Sequence, residues 1–165
     1  MTTIRPYDPG DLQACRDLWV ELTVHHRRIY GTDTIGGDDP GAQFDEHLTA
    51  VGPERIWVAE RDGTVVGLVG LIVDGTSGEV EPVVVAEDER GRGIGRGLLK
   101  RVTAEAGALG IRLLSVRPVG RNTAALRFFR DSGFDVLGHI EAFMDLEGDR
   151  EWVDGETIAG RNFKV

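Results

Sequence analysis

The run Arg90-Gly91-Arg92-Gly93-Ile94-Gly95-Arg96-Gly97 packs three guanidinium groups and four glycines into eight residues. Glycine lets backbone N–H groups come close to an anion, and the positive end of a helix starting near Ile94 would point at the same place. Well-placed arginines add charge-assisted contacts worth about 1.5–3 kcal/mol each. These residue types in this order describe an anion site large enough for a polyphosphate. Upstream stand two carboxylates, Glu79 and Glu81, at the head of an apolar run. Two apart on a strand they share a face, where either could take a proton directly or through water. An edge-facing, solvated pair is the alternative.

Charge is segregated around this turn. Residues 90–130 hold ten of the nineteen Lys and Arg residues and one acid, Glu105, for +9, while the rest of the chain carries −18. The net −9 argues against general nucleic-acid binding and leaves room for a cationic small-molecule or peptide partner. No apolar run approaches the roughly 18 residues of a membrane span, and no secretory signal opens the chain, so a cytoplasmic location is expected. The lone cysteine, Cys15, falls on an apolar helical stripe and reads as core. His25, His26, His47 and His139 lack metal-ligand spacing, so no metal is expected.

The phosphate-binding turns of dinucleotide folds and P-loops do not fit. A Gly-x-Gly-x-x-Gly frame from Gly91 ends on Arg96, and from Gly93 on Leu98. No Lys-Ser/Thr follows the glycines. What is left is Arg-x-x-Gly-x-Gly at Arg90, Gly93 and Gly95.

The elements that must position this turn are read from periodicity and turn chemistry. Thr3–Tyr7 predicts a strand. Asp8-Pro9 starts a helix carrying Leu12, Cys15, Leu18, Trp19 and Leu22, running to about His26. Asp39-Pro40 starts a second, with Phe44, Leu48 and Val51. His25, His26 and Tyr30 lie between the two stripes, lining a substrate entrance or simply solvated. Ile56–Glu60 and Thr64–Val73 form a hairpin over Arg61-Asp62-Gly63, and Glu79–Val85 is the next strand. After the glycine-rich turn come a helix through Leu109, closed by Gly110, and a strand Ile111–Val116 expected to be buried on both faces. Asn122–Ser132 is a helix, and Phe134–Ile140 with Ala142–Leu146 are expected to close the sheet as paired strands. Residues 147–165 read as a polar tail. In it, Trp152 and Phe163 could cover an acceptor pocket, dock on a second copy of the chain as a homodimer, or lie in disordered chain. The whole, 1–165, is expected to be one α/β domain: a mixed central sheet of six to seven strands with helices on both faces.

The stretch from Glu79 to Arg96, with its following helix, resembles the acetyl-CoA-binding motif of the GNAT superfamily of N-acetyltransferases. A second motif of that superfamily is matched by Asn122-Thr-Ala-Ala-Leu-Arg-Phe-Phe-Arg-Asp-Ser-Gly-Phe134. The two motifs lie in the family's order, and the predicted elements fit from residue 3 to 146.

The resemblance implies acetyl-CoA as co-substrate. Its pyrophosphate would sit over Arg90, Gly91, Arg92, Gly93, Ile94, Gly95 and Arg96. Its pantetheine arm would run along Val83, Val84 and Val85 where two parallel strands splay apart, with Asn122 and Phe129 near the sulfur end. Asn122 also suits a plain helix cap. The implied reaction is acetyl transfer to a primary amine, with Glu81 or, second, Glu79 as base and the Val85 N–H as oxyanion donor. Phe129 stands where the family favours a proton-donating tyrosine. The rival to catalysis is a CoA-binding sensor, and the identity of the acceptor is left open.

Overall fold

The computed structural model describes residues 1–148 and 150–165, which form two compact units, Met1–Val116 and Arg117–Val165. In the first, β1 (Thr2–Pro6), β2 (Ile56–Arg61), β3 (Thr64–Asp74), β4 (Ser77–Val85) and β5 (Leu113–Ser115) make a five-stranded sheet in that order. All neighbours are antiparallel except β4 and β5, which are parallel. α1 (Leu12–Tyr30) and α2 (Ala42–Val51) precede the β2–β3 hairpin, and α3 (Ile94–Ala108) links β4 to β5. The architecture is the mixed α/β sheet that the sequence predicts, with five strands in place of six or seven.

Local chemistry sets the element ends. Asp8 Oδ1 accepts from Gly10 N–H and Asp11 Oδ2 from Asp8 N–H, a reciprocal cap on a 3-10 turn, Pro9–Asp11, that feeds α1. α1 runs past His26 to Tyr30 and stops at Gly31, whose φ is +64°. Asp39 accepts from Ala42 N–H at the start of α2. On one face of the sheet, Cys15, Leu18, Phe44, Val51, Ile56, Val58, Leu68 and Val84 form the core beneath α1 and α2. Burial pushes the Cys15 thiol up to about 12, so it is inert packing. On the other face Gly67 lies against Leu98 and Ile94 of α3. Among the described residues no helix is long and apolar enough to cross a membrane.

Arg5 secures the α1 entry. Its Nη1 and Nη2 donate to Asp11 at 2.7 and 2.9 Å, and its Nε donates to Glu60. Asp11 is buried, and the Arg5 guanidinium holds its carboxyl below the ordinary carboxylate range. A group whose folded pKa is depressed stabilises the fold above its unfolded pKa and loses that stabilisation as pH falls through the folded value. Asp11→Asn should therefore cost about 2 kcal/mol in urea unfolding at pH 7, a value reduced because Arg5 is partly solvated. The gap between wild type and variant should narrow below about pH 4. A gap constant with pH would show that the loss comes from packing rather than from the ion pair.

Three expectations are corrected. β5 is shorter than Ile111–Val116 and is not buried on both faces: it is the sheet edge, with Leu113 68% exposed. In the second unit α4 (Thr123–Asp131) is present, but neither Phe134–Ile140 nor Ala142–Leu146 is a strand. The strands lie instead in the expected tail, as β6 (Asp154–Ile158) paired with β7 (Arg161–Lys164) across Ala159-Gly160. Both turn residues have positive φ, 51° and 74°, as a two-residue hairpin loop requires. Trp152 of that segment donates its Nε1 to Asp145 Oδ2 at 3.0 Å.

Candidate cofactor cleft

β4 and β5 pair at Ser77–Leu113, Gly78–Leu114 and Glu79–Ser115, and then part. Beyond that fork β4 continues to Val85 with β3 on one side and, among the described residues, no strand on the other. Ala86 N–H donates to Val66 C=O on β3 at 2.9 Å. Backbone groups alternate along a strand, so Val85 turns its N–H and C=O the other way, to the free edge, and so does Val83. Val84 faces β3 through its backbone and the core through its side chain.

The free edge leads into the arginine–glycine turn. Arg90 folds back so that its Nε donates to Val85 C=O at 3.0 Å. Gly91 and Gly93 have φ of +77° and +81°, a region costly for side-chain-bearing residues, and a Cβ at either would project into open space. Gly93 is the N-cap of α3 and brings no side chain to cap it. The first-turn amides of α3 thus face an open cradle with Arg92 and Arg96 exposed beside it. An anionic group with a thin amide-bearing arm fits this pairing of bare helix end and bare strand edge.

Both candidate bases lie at the fork. Glu79 occupies the last paired rung, opposite Ser115 on β5 and Ile72 on β3, and is half-buried, whereas Glu81 is exposed. The two-residue spacing does not by itself put them on one face. The register slips between Val69 and Leu71, so β4 spends one more residue than β3 from Val80 to Val83 and bulges at Glu81-Pro82. Gly70 accommodates the bulge: a Cβ there would lie 2.3 Å from Glu81 O and 3.1 Å from His47 Nε2.

Sequence reading names His47 only as a histidine without metal-ligand spacing. It sits on α2 with its ring 5.2 Å from Trp19, and its Nε2 is buried without a hydrogen-bond partner among the described residues. Burial lowers its pKa, opposed by the Glu81 backbone, which is close without completing a hydrogen bond. Neither periodicity nor spacing marks it, because its neighbours, Trp19 and the Gly70 backbone, are distant in sequence. His25 and His26 lie near the end of α1; burial lowers the pKa of both, and Arg90 and Arg28 lower that of His25 further. Among the described residues no cluster of side chains suits a metal ion.

Asn122 and Phe129 belong to the second unit. Asn122 Oδ1 accepts from Ala125 N–H at 3.0 Å and caps α4. Phe129 packs against Phe128 with its ring tilted by 57° and meets Phe134 edge-on, with ring centres 5.2 and 5.9 Å apart.

The chain is 28% identical over 143 residues to an L-methionine sulfoximine/L-methionine sulfone acetyltransferase of Salmonella typhimurium, covering 84% of this chain and 82% of the relative. An L-amino acid N-acyltransferase of Escherichia coli matches at the same identity and coverage. Among solved structures, a ribosomal-protein-alanine N-acetyltransferase of Brucella melitensis superposes with a TM-score of 0.63 at 26% identity, over 79% of this chain and 83% of that one. Residues 15–134, which contain the fork, the glycine turn and both sequence motifs, match the acetyltransferase (GNAT) family, and the chain belongs to that family of acetyltransferases.

Proposed function

We propose that this acetyltransferase moves the acetyl group of acetyl-CoA to a primary amine of a small molecule or peptide, and that the α-amino group of an amino acid is the best candidate acceptor. The observation that carries the cofactor assignment is the fork. A strand edge with outward N–H and C=O groups at Val83 and Val85 runs directly into the cradle of Gly91–Gly95. Arg90, Arg92 and Arg96 with the amides of Gly91, Gly93, Ile94 and Gly95 would hold the pyrophosphate. The edge of Val83–Val85 would hold the pantetheine arm as an added strand. Bound there, acetyl-CoA supplies an activated acyl group as a thioester. Asn122 and Phe129 enter the proposal through the second motif alone.

The chain's own part is to neutralise the amine, orient it and stabilise charge. An α-amino group, with a pKa of about 7.7–8.0, is mostly protonated at pH 7, and a lysine-like amine with a pKa near 10.4 almost wholly so; a proton must leave before attack. Glu81 on the free segment is the first candidate to accept it and Glu79 at the fork the second, either directly or through water. The Val85 N–H, turned to the open edge, is the donor for negative charge developing on the acyl oxygen. With phenylalanine at position 129, that side chain donates no proton to the departing thiolate.

The amino-acid acceptor is supported by the names of the two curated relatives, and the acidity outside the cofactor window supports a cationic one. Thiol release from acetyl-CoA separates these. A panel of L-amino acids, methionine sulfone, polyamines, aminoglycosides and basic peptides is expected to give its highest kcat/KM with a free amino acid. Highest turnover with a polyamine, an aminoglycoside or a basic peptide would replace that acceptor, and no turnover with any amine would contradict the catalytic reading.

A further inference from the structure

We propose that Glu89, an acid at the mouth of an anion site, strengthens the hold on pyrophosphate by positioning Arg92. This rests on the reading of residues 90–96 as the pyrophosphate turn. Glu89 Oε2 lies 2.5 Å from Arg61 Nη1 and 3.3 Å from Arg92 Nε, so one carboxylate oxygen meets two guanidinium groups. Arg61 ends β2 and belongs to the sheet through its pairing with Thr64. Arg92 lies between the left-handed Gly91 and Gly93, with its side chain 53% exposed. Glu89 itself is only 17% exposed. It therefore links an arginine on a flexible-residue turn to a fixed strand end.

The contact uses the Nε edge of Arg92. Held at that edge, Arg92 would offer its Nη groups to a ligand, the paired donors that match two phosphate oxygens. An arginine held this way surrenders less side-chain freedom on binding than one free in solvent. The platform beneath it is tied at other points. Ala86 N–H donates to Val66 C=O at 2.9 Å, Glu89 N–H to Ala86 C=O at 2.9 Å, and Glu87 N–H to Glu21 Oε1 of α1 at 3.2 Å. Charge alone gives the opposite expectation, since a carboxylate near a pyrophosphate repels it. The two accounts thus differ in sign.

Calorimetry with coenzyme A on wild type, Glu89→Gln and Glu89→Asp decides between them, with circular dichroism as the check on folding. Glu89→Gln removes the charge and keeps the shape. Glu89→Asp keeps the charge and withdraws it by one methylene. Positioning predicts that Kd rises about tenfold for Glu89→Gln and about fivefold for Glu89→Asp, the scale of one ordered side chain. KM for acetyl-CoA should rise in parallel, while kcat and KM for the amine stay within about twofold, a split that general loosening of the fold would not give. Unchanged or tighter binding by Glu89→Gln with unchanged binding by Glu89→Asp overturns the proposal and leaves the pyrophosphate reading intact. Failure of the wild type to bind coenzyme A would overturn both.

Discussion

Gly93→Val protein is expected to fold and to bind coenzyme A at least about a hundredfold more weakly than wild type, a loss of about 2.7 kcal/mol. Gly93 holds φ at +81° as the N-cap of α3. A β-branched residue in that region costs roughly 1–3 kcal/mol, and relief requires rotating φ to negative values. Such a rotation would turn the first amides of α3 away from their common direction. If instead the backbone stays, the new side chain projects into the open space in front of the cradle. Either route removes the anion site, while the buried face of α3, with Leu98, Leu99 and Val102, is untouched. Calorimetry with coenzyme A and a thermal melt measure the two effects separately. Binding within threefold of wild type would show that the turn does not receive the pyrophosphate.

Glu81→Gln should lower kcat by about 10²-fold or more, the usual scale of general base catalysis, with the Kd for coenzyme A within about threefold of wild type. Glu79→Gln should lower kcat by less. The ranking follows from position. Glu81 lies beyond the last β4–β5 rung, on the segment whose outer edge is open, while Glu79 is half-buried within the rung itself. The deficit of a true base should shrink as pH rises, because the amine then loses its proton without help. A larger loss in Glu79→Gln would exchange the two roles. Retention of more than a third of wild-type kcat by both variants would remove the carboxylates from the proton step.

Much of the candidate cofactor cleft was legible because it is local. A glycine-rich turn between a strand and a helix, with its arginines, is a contiguous stretch whose chemistry does not depend on distant neighbours. The helices were legible for a similar reason: α1, α2 and α3 each bury one stripe, and Asp8 and Asp39 mark the first two starts. The bulge at Glu81-Pro82 was not legible, since it exists only as a mismatch between β3 and β4. It takes the reading of Glu79 and Glu81 out of simple alternation, and Gly70, which accommodates it, lies beside His47 of α2. The role of Glu89 was hidden likewise, because Arg61 is 28 residues away.

The C-terminal region shows the reverse failure. Phe134–Leu146 has the apolar content of strands, yet Val136, Leu137, Phe143, Met144 and Leu146 are exposed and unpaired in strand terms. β6 and β7 do pair, with nearly every residue exposed. Without a buried face there is no reason for their polar and apolar residues to alternate, and periodicity could not find them.

The central claim is that the pyrophosphate of acetyl-CoA lies on the amides of the turn and its arm on the free edge of β4. Titrating coenzyme A into ¹⁵N-labelled protein and following the backbone amides tests it residue by residue. The largest shifts are expected at Gly91, Gly93, Ile94 and Gly95, followed by Val83 and Val85, with Val84, whose N–H faces β3, moving less. Saturable shifts centred elsewhere, with the turn and the β4 edge unmoved, would contradict the account.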